Sequence, residues 1–253
     1  MGKVISIVNQ KGGVGKTTTT VNLGVSLSLE NKKILIIDFD QEANATITLG
    51  IKREEVQKDI VDFLFDETIS VEHIVKTAVE NVHLICASLR ISKLEQMSHS
   101  IESQELMLDK KLTLIKDLYD YILIDCPPAF GLIIDNALYA SDSVIIPVEC
   151  SFYAYDALTQ MVNKINEVQQ SKSLDIEGIL LTKLDNRNTI GYKIVDQVKF
   201  MFPFNTFNTV ISVSSHIQEA PMHGKSVIQF SYNSRGSKEY RELAKEVLNK
   251  DAN

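Results

Sequence analysis

The feature that most constrains this chain lies at its start. Lys3–Val8 is a β-rich apolar run, followed by Asn9-Gln10-Lys11-Gly12-Gly13-Val14-Gly15-Lys16-Thr17-Thr18. An amphipathic stretch, Thr18–Glu30, comes next, with Val21, Leu23, Gly24 and Leu27 on its inner side. Strand, glycine-rich loop and helix in this order are what a backbone needs to wrap a phosphate. The glycines let successive N–H groups curl around phosphate oxygens, and the helix N-terminus adds the positive end of its dipole. Lys16 is placed to reach the β- and γ-phosphates, and the Thr17 hydroxyl to ligate Mg²⁺. Nucleotide contacts are therefore expected from Gly12, Gly13, Val14, Gly15, Lys16, Thr17 and Thr18.

The rest of the chain repeats the alternation of short apolar runs with longer amphipathic ones. Further strands are expected at Lys33–Asp38, Val82–Ala87, Tyr121–Asp125, Ser143–Val148, Ile176–Thr182 and Phe207–Val210. Further helices are expected at Ala154–Gln169 and Lys238–Asn249. Most of the strand runs are continuously apolar, as in a sheet covered on both faces. The pattern predicts an α/β fold, a mostly parallel twisted sheet flanked by helices on both faces with right-handed crossovers.

With 253 residues, 44% hydrophobic and 23% charged, the chain has ordinary globular composition and fits one domain spanning residues 1–253. No run of about 18 apolar residues is present, so no membrane span is expected. The 3 cysteines, Cys86, Cys126 and Cys150, match no metal-binding spacing. Polar and charged residues interrupt the first twenty positions, so a secretory signal is not expected and a reducing cytoplasm is the simplest setting. Met1–Ser6 fits a crude myristoylation pattern, but the same residues read better as the start of the first strand. Lys plus Arg total 26 against 33 Asp plus Glu, a formal charge of -7. That balance argues against bulk coating of nucleic acid and leaves room for a local basic patch.

In a parallel α/β sheet, ligands bind beyond the C-terminal strand ends. Two runs end there in carboxylates. Ile34-Leu35-Ile36-Ile37 leads into Asp38-Phe39-Asp40, whose acids would face one side in extended chain. They would repel unless Lys16 or a cation compensates. Tyr121-Ile122-Leu123-Ile124 leads into Asp125-Cys126-Pro127-Pro128. Asp125 then has the place of the acid that holds Mg²⁺ through its waters beside a phosphate loop.

The loop departs from the strict phosphate-loop pattern, with Gln10 where glycine is required and an added lysine, Lys11. In this it resembles the deviant Walker A loop of the ParA/MinD group of nucleotide-switch ATPases, and within that group the ParA/Soj-like partition ATPases. Asp40-Gln41-Glu42-Ala43-Asn44-Ala45-Thr46 keeps the family's Asn, Ala and Thr but not its Pro, Gln and Gly. Asp125-Cys126-Pro127-Pro128, Ile146-Pro147-Val148, the helix opening at Phe152-Tyr153-Ala154, Ile217-Gln218-Glu219-Ala220-Pro221 with Gly224, and Gly236 and Tyr240 extend the likeness over nearly the whole chain. It is weakest between about Lys52 and Lys116.

The resemblance implies a Mg²⁺-dependent ATPase that dimerises on ATP, with Lys11 reaching across to the partner's nucleotide and Asp40 positioning the attacking water. It implies a slow intrinsic rate, stimulation by a ParB-type adaptor, and non-specific DNA binding on the nucleoid. MinD-like members end in an amphipathic membrane helix, whereas here the last residues, Leu248 to Asn253, are polar. For DNA, Arg187 fits one of the family's basic positions, but Ile211-Ser212-Val213-Ser214-Ser215-His216 lacks the arginines usual in the other. Lys183, Arg187, Lys193, Lys199, Lys225, Arg235, Lys238 and Arg241 are the remaining candidates, with Arg187, Lys225 and Arg235 foremost.

Two alternatives stand beside DNA partition. One is an ATP-driven positioning switch for a protein cargo, with weak DNA binding. The other is a GTP-dependent targeting factor, because Thr182-Lys183-Leu184-Asp185 also spells the guanine-reading T-K-x-D motif. On either nucleotide, Asp185 is expected to contact the base.

Overall fold

The computed structural model describes residues 2–151 and 154–251. Among them, eight strands form one sheet: β1 (Lys3–Ile7), β2 (Ile34–Asp38), β3 (Val75–Lys76), β4 (Val82–Ile85), β5 (Tyr121–Asp125), β6 (Ser143–Glu149), β7 (Asp175–Leu184) and β8 (Thr206–Ser212). Their order across the sheet is β3-β4-β2-β5-β1-β6-β7-β8. All pairings are parallel except β3 with β4. The helices are α1 (Lys16–Leu29), α2 (Asn44–Thr48), α3 (Ile60–Phe65), α4 (Leu94–Ser98), α5 (Met107–Leu112), α6 (Leu132–Ala140), α7 (Ala154–Gln169), α8 (Thr189–Met201), α9 (Ser215–Glu219), α10 (Val227–Phe230) and α11 (Arg235–Asp251).

The continuous apolar runs are explained by two cores. Within β2, Leu35 and Ile37 pack into one cluster with residues of α3, α5, α6 and α7. Ile34 and Ile36 pack into the other with α1, α10 and α11. Successive side chains of a strand point to opposite faces. When helices cover both faces, every position in the strand must be apolar. Gly24 of α1 faces the sheet closely enough that a Cβ there would lie 2.9 Å from Ile36 Cδ1.

All seven expected strands are present: Tyr121–Asp125 agrees at both ends, and the other six have shifted ends. The last runs from Thr206 to Ser212 rather than Phe207–Val210, because it lengthens alongside β7. The first helix begins at Lys16 rather than Thr18, since Gly15 takes a left-handed backbone (φ 95°) and starts the turn there. The last begins at Arg235 rather than Lys238, with Gly236 inside it and packed on Ile217. Ala154–Gln169 agrees at both ends. The expected helix opening at Phe152-Tyr153 and the termini Met1 and Ala252-Asn253 lie outside the described residues. Between Lys52 and Lys116 the helices are too short for a clear period, and Asp59 caps α3 by accepting from Val61 and Asp62 N–H. Among the described residues, no helix is long and apolar enough to cross a membrane.

Candidate functional site

Parallel pairing brings the predicted acids together. Asp38 and Asp125 are register partners at the C-terminal ends of β2 and β5, and Ile7 pairs with Asp125 on the other side. The glycine-rich loop leaves β1 at this level. Gly13 and Gly15 both have positive φ, 71° and 95°, which lets the loop curl where a side-chain-bearing residue would be strained. Gly12 lies against the Pro127-Pro128 turn, where an added Cβ would sit 3.8 Å from Pro128.

Lys16 is buried, and its ammonium donates to the Lys11 carbonyl at 3.2 Å. Burial lowers its pKa, while Asp125, Cys126 and Asp40 pull it back up. Asp125 is wholly buried; Thr20 Oγ1 donates to its Oδ1 at 3.4 Å, and its Oδ2 has no hydrogen-bond partner. Burial, and then Asp38, push its pKa well up, with Thr17 and Lys16 acting against them. A buried carboxylate oxygen without a partner is costly unless something arrives to meet it. Thr17 and Asp125 supply hard oxygen donors beside the loop, a set that fits Mg²⁺ with its waters and substrate phosphates completing the shell.

Asp38 and Asp40 both act on Asp125. The strand ends at Asp38 and the chain bends, so the Asp40 N–H donates to Asp38 Oδ1 at 3.3 Å. Asp38 Oδ2 accepts from both the N–H and the hydroxyl of Thr46, each at 2.7 Å. Thr46 Oγ1 in turn accepts from Ala87 N–H at 3.1 Å. Asp38 is thus an anchor tying α2 to the sheet, and burial drives its pKa up to about 6 despite the Thr46 bonds. Asp40 remains at the mouth of the site, its Oδ1 accepting from Glu42 N–H at 3.0 Å.

Lys11 stands at the rim, about one-third exposed, its ammonium 2.9 Å from Glu149 Oε2 and 3.1 Å from Ser151 Oγ. Its N–H donates to Asn9 Oδ1 at 2.9 Å, while Asn9 Nδ2 donates to the Pro147 carbonyl at 2.7 Å. From the other flank, Thr182 Oγ1 donates to the Val14 carbonyl at 2.8 Å. Asn9, Glu149 and Thr46 went unnoticed as functional groups in the sequence. Only Thr46 carried a signal, standing in the Asn44-Ala45-Thr46 segment.

Asp185 lies beyond the end of β7, its carboxylate held by Arg187. Of the basic candidates, Arg187 and Arg235 come near each other through Asn186, whose Oδ1 accepts from Arg235 at 3.4 Å. Both are committed to acids, Arg187 to Asp185 at 2.9 Å and Arg235 to Glu239 at 2.8 Å. Lys225 lies apart from them, lining a cavity of about 240 Å³ with Thr17, Thr18, Asn44 and Ile217. Lys183 faces Glu149 at 4.0 Å, Lys199 donates to the Asn208 carbonyl at 3.3 Å, and Arg241 stacks 4.0 Å over Tyr232. A larger cavity of about 780 Å³ sits by β3 and β4, lined by Ile69, Ile74, His83, Leu114 and Leu118; it is apolar and remote from these acids.

Known proteins resemble this chain. Residues 2–177 match the family model described as an AAA domain. The sporulation initiation inhibitor protein Soj of Bacillus subtilis is 45% identical over 249 residues, covering 98% of each chain. The chromosome partitioning protein ParA of Myxococcus xanthus is 35% identical over 253 residues, covering 99% of this chain and 89% of its own. Among solved structures, cobyrinic acid a,c-diamide synthase from Mycobacterium smegmatis with bound ADP and magnesium superposes with TM-score 0.85 at 27% identity, over 98% of this chain and 94% of its own. With its phosphate loop, paired strand-end acids and full-length likeness, the chain belongs to the ParA/Soj family of chromosome-partitioning ATPases.

Proposed function

We propose that this chain is a Mg²⁺-dependent ATPase switch in which ATP binding at the β1 loop closes two copies face to face, and hydrolysis separates them. The observation that carries the reading is the buried, unpartnered Oδ2 of Asp125 among Lys16, Thr17, Asp38 and Asp40. Here the acids outnumber the cations, and Mg²⁺ carried by a nucleotide supplies the missing charge. When bound, that ion would draw electron density from the phosphates. Lys16 binds the phosphates, Thr17 and Asp125 hold the ion, the latter through water, and Asp40 orients the attacking water. Lys11 is held only by surface groups, and exposed ion pairs are worth about 0–1 kcal/mol, so it is free to exchange Glu149 for a partner's nucleotide. One continuous sheet supports reading residues 1–253 as one ATPase domain.

In this reading the closed dimer binds DNA without sequence preference through Arg187, Arg235 and Lys225. A ParB-type adaptor stimulates an otherwise slow hydrolysis, and the protein works in the cytoplasm on the nucleoid. A second reading, a positioning switch for a protein cargo with weak DNA affinity, is favoured by one observation. Ile211–His216 carries no Lys or Arg, and both leading arginines are already paired with carboxylates.

Size-exclusion chromatography of Asp40→Ala with Mg·ATP tests the switch, since the variant should bind ATP, hydrolyse it poorly and elute as a trapped dimer. A monomer with ATP bound would refute the sandwich. DNA added to that dimer separates the two readings: a salt-sensitive shift supports partition, and no shift supports the cargo switch.

A further inference from the structure

The Thr182-Lys183-Leu184-Asp185 segment is docked on the nucleotide loop from both ends of its first dipeptide. Thr182 is buried and its hydroxyl donates to the Val14 carbonyl at 2.8 Å. Lys183 adopts φ 55°, a left-handed backbone that costs a residue with a Cβ energy and persists only where its surroundings hold it. That turn carries its ammonium over the loop, 3.9 Å from where a Cβ on Gly13 would sit. Asp185 follows two residues after Lys183, just beyond the end of β7. A free carboxylate there would accept two hydrogen bonds from guanine, whose ring N–H and exocyclic amine are adjacent donors.

The carboxylate is not free. Arg187 Nε donates to Oδ1 at 3.0 Å and Nη2 to Oδ2 at 2.9 Å, and the Arg187 backbone N–H adds a bond to Oδ1 at 3.0 Å. Both oxygens are taken by one planar fork, the geometry in which a guanidinium holds a carboxylate best. The end of the motif therefore presents the outer N–H groups of an arginine in place of an acceptor edge. Guanine would bring two donors against donors. Adenine offers a ring nitrogen as acceptor beside a single amine and has no need of the paired acceptors.

We propose that Arg187 is a specificity-determining residue of the ATPase: by occupying Asp185 it disables a guanine-reading motif whose Thr182 and Lys183 are docked on the nucleotide loop, and so disfavours GTP. This rests on the nucleotide site proposed above. Rejection here works through the unpaired polar groups the wrong base would leave, the more effective route to discrimination. The guanidinium acts through Asp185 and is a positioning residue for it.

The test is equilibrium binding of fluorescent ATP and GTP analogues, with Mg²⁺ and without DNA. Four proteins are compared: wild type, Arg187→Ala, Arg187→Ala/Asp185→Asn and Lys16→Ala. Freeing the carboxylate should raise the affinity for GTP relative to ATP by up to about fivefold, the most that an exposed ion pair worth about 1 kcal/mol can hold back. The double variant, which keeps the loop but has no carboxylate, should lose that gain, and a merely structural role for Arg187 would not produce this reversal. An unchanged ratio in Arg187→Ala, or a gain that survives Asp185→Asn, overturns the proposal while leaving the site intact. ATP binding that persists undiminished in Lys16→Ala overturns the site reading itself, and the proposal with it.

Discussion

Asp38→Asn should make the nucleotide-free protein more stable, and more so at pH 8 than at pH 5. Asp38 is fully buried, and its pKa rises from the ordinary carboxylate value of about 3.9 to about 6. The folded state then holds a proton that the unfolded chain gives up between those values. Stability from this group is present below about pH 4 and lost as pH rises through about 6. At roughly 1.4 kcal/mol per pH unit, the charged acid costs the folded protein about 3 kcal/mol at pH 8 and about half that at pH 5. An asparagine removes that cost and still accepts from Thr46 through its oxygen, but it forfeits the bond from Asp40 N–H, worth about 1 kcal/mol. The net expectation is a gain of about 2 kcal/mol at pH 8, shrinking to less than about 1 kcal/mol at pH 5. The chain has no tryptophan, so urea unfolding followed by circular dichroism is the assay. A difference between variant and wild type that is the same at both pH values would refute the argument. So would a variant that loses stability at pH 8.

Three further outcomes follow from particular contacts. Lys16→Ala should abolish measurable ATP binding in isothermal titration, because the buried ammonium is the site's main phosphate charge. Thr182→Val keeps the side-chain volume but deletes the bond to the Val14 carbonyl, so ATP affinity should fall about fivefold as the loop loosens, at a net bond worth of about 1 kcal/mol. Gly178→Ala should destabilise the fold by about 1–3 kcal/mol in urea titration, since its Cβ would sit 2.3 Å from the buried ring of Phe207 and force a core side chain to move.

How much of this was legible beforehand depends on the kind of signal. The β1 loop carries its signal in residue types at a fixed spacing: glycine for positive φ, with lysine and threonine where a phosphate and its ion are proposed to bind. Asp125 could be read because it ends an apolar run. Asp38 was seen, but its function was not, for the carboxylate is held by Thr46, eight residues on, which in turn accepts from Ala87, just past the end of the neighbouring strand. The segment from Lys52 to Lys116 gave little, since its helices are shorter than two turns of the pattern that would reveal them.

By itself the amino-acid sequence determined the layered sheet and the phosphate loop, because strand period, glycine placement and burial on two faces are local constraints written in consecutive residues. Tertiary structure alone decided what surrounds them: Glu149 beside Lys11, Thr182 on Val14, Arg187 on Asp185, and Asp38 in register with Asp125. Two of these depend on strands adjacent in the sheet but far apart in the chain. The Asp185–Arg187 pair is close in sequence, yet only the fold shows that the arginine takes both carboxylate oxygens. Charge pairing of this kind follows from distance in space, which no count of intervening residues supplies.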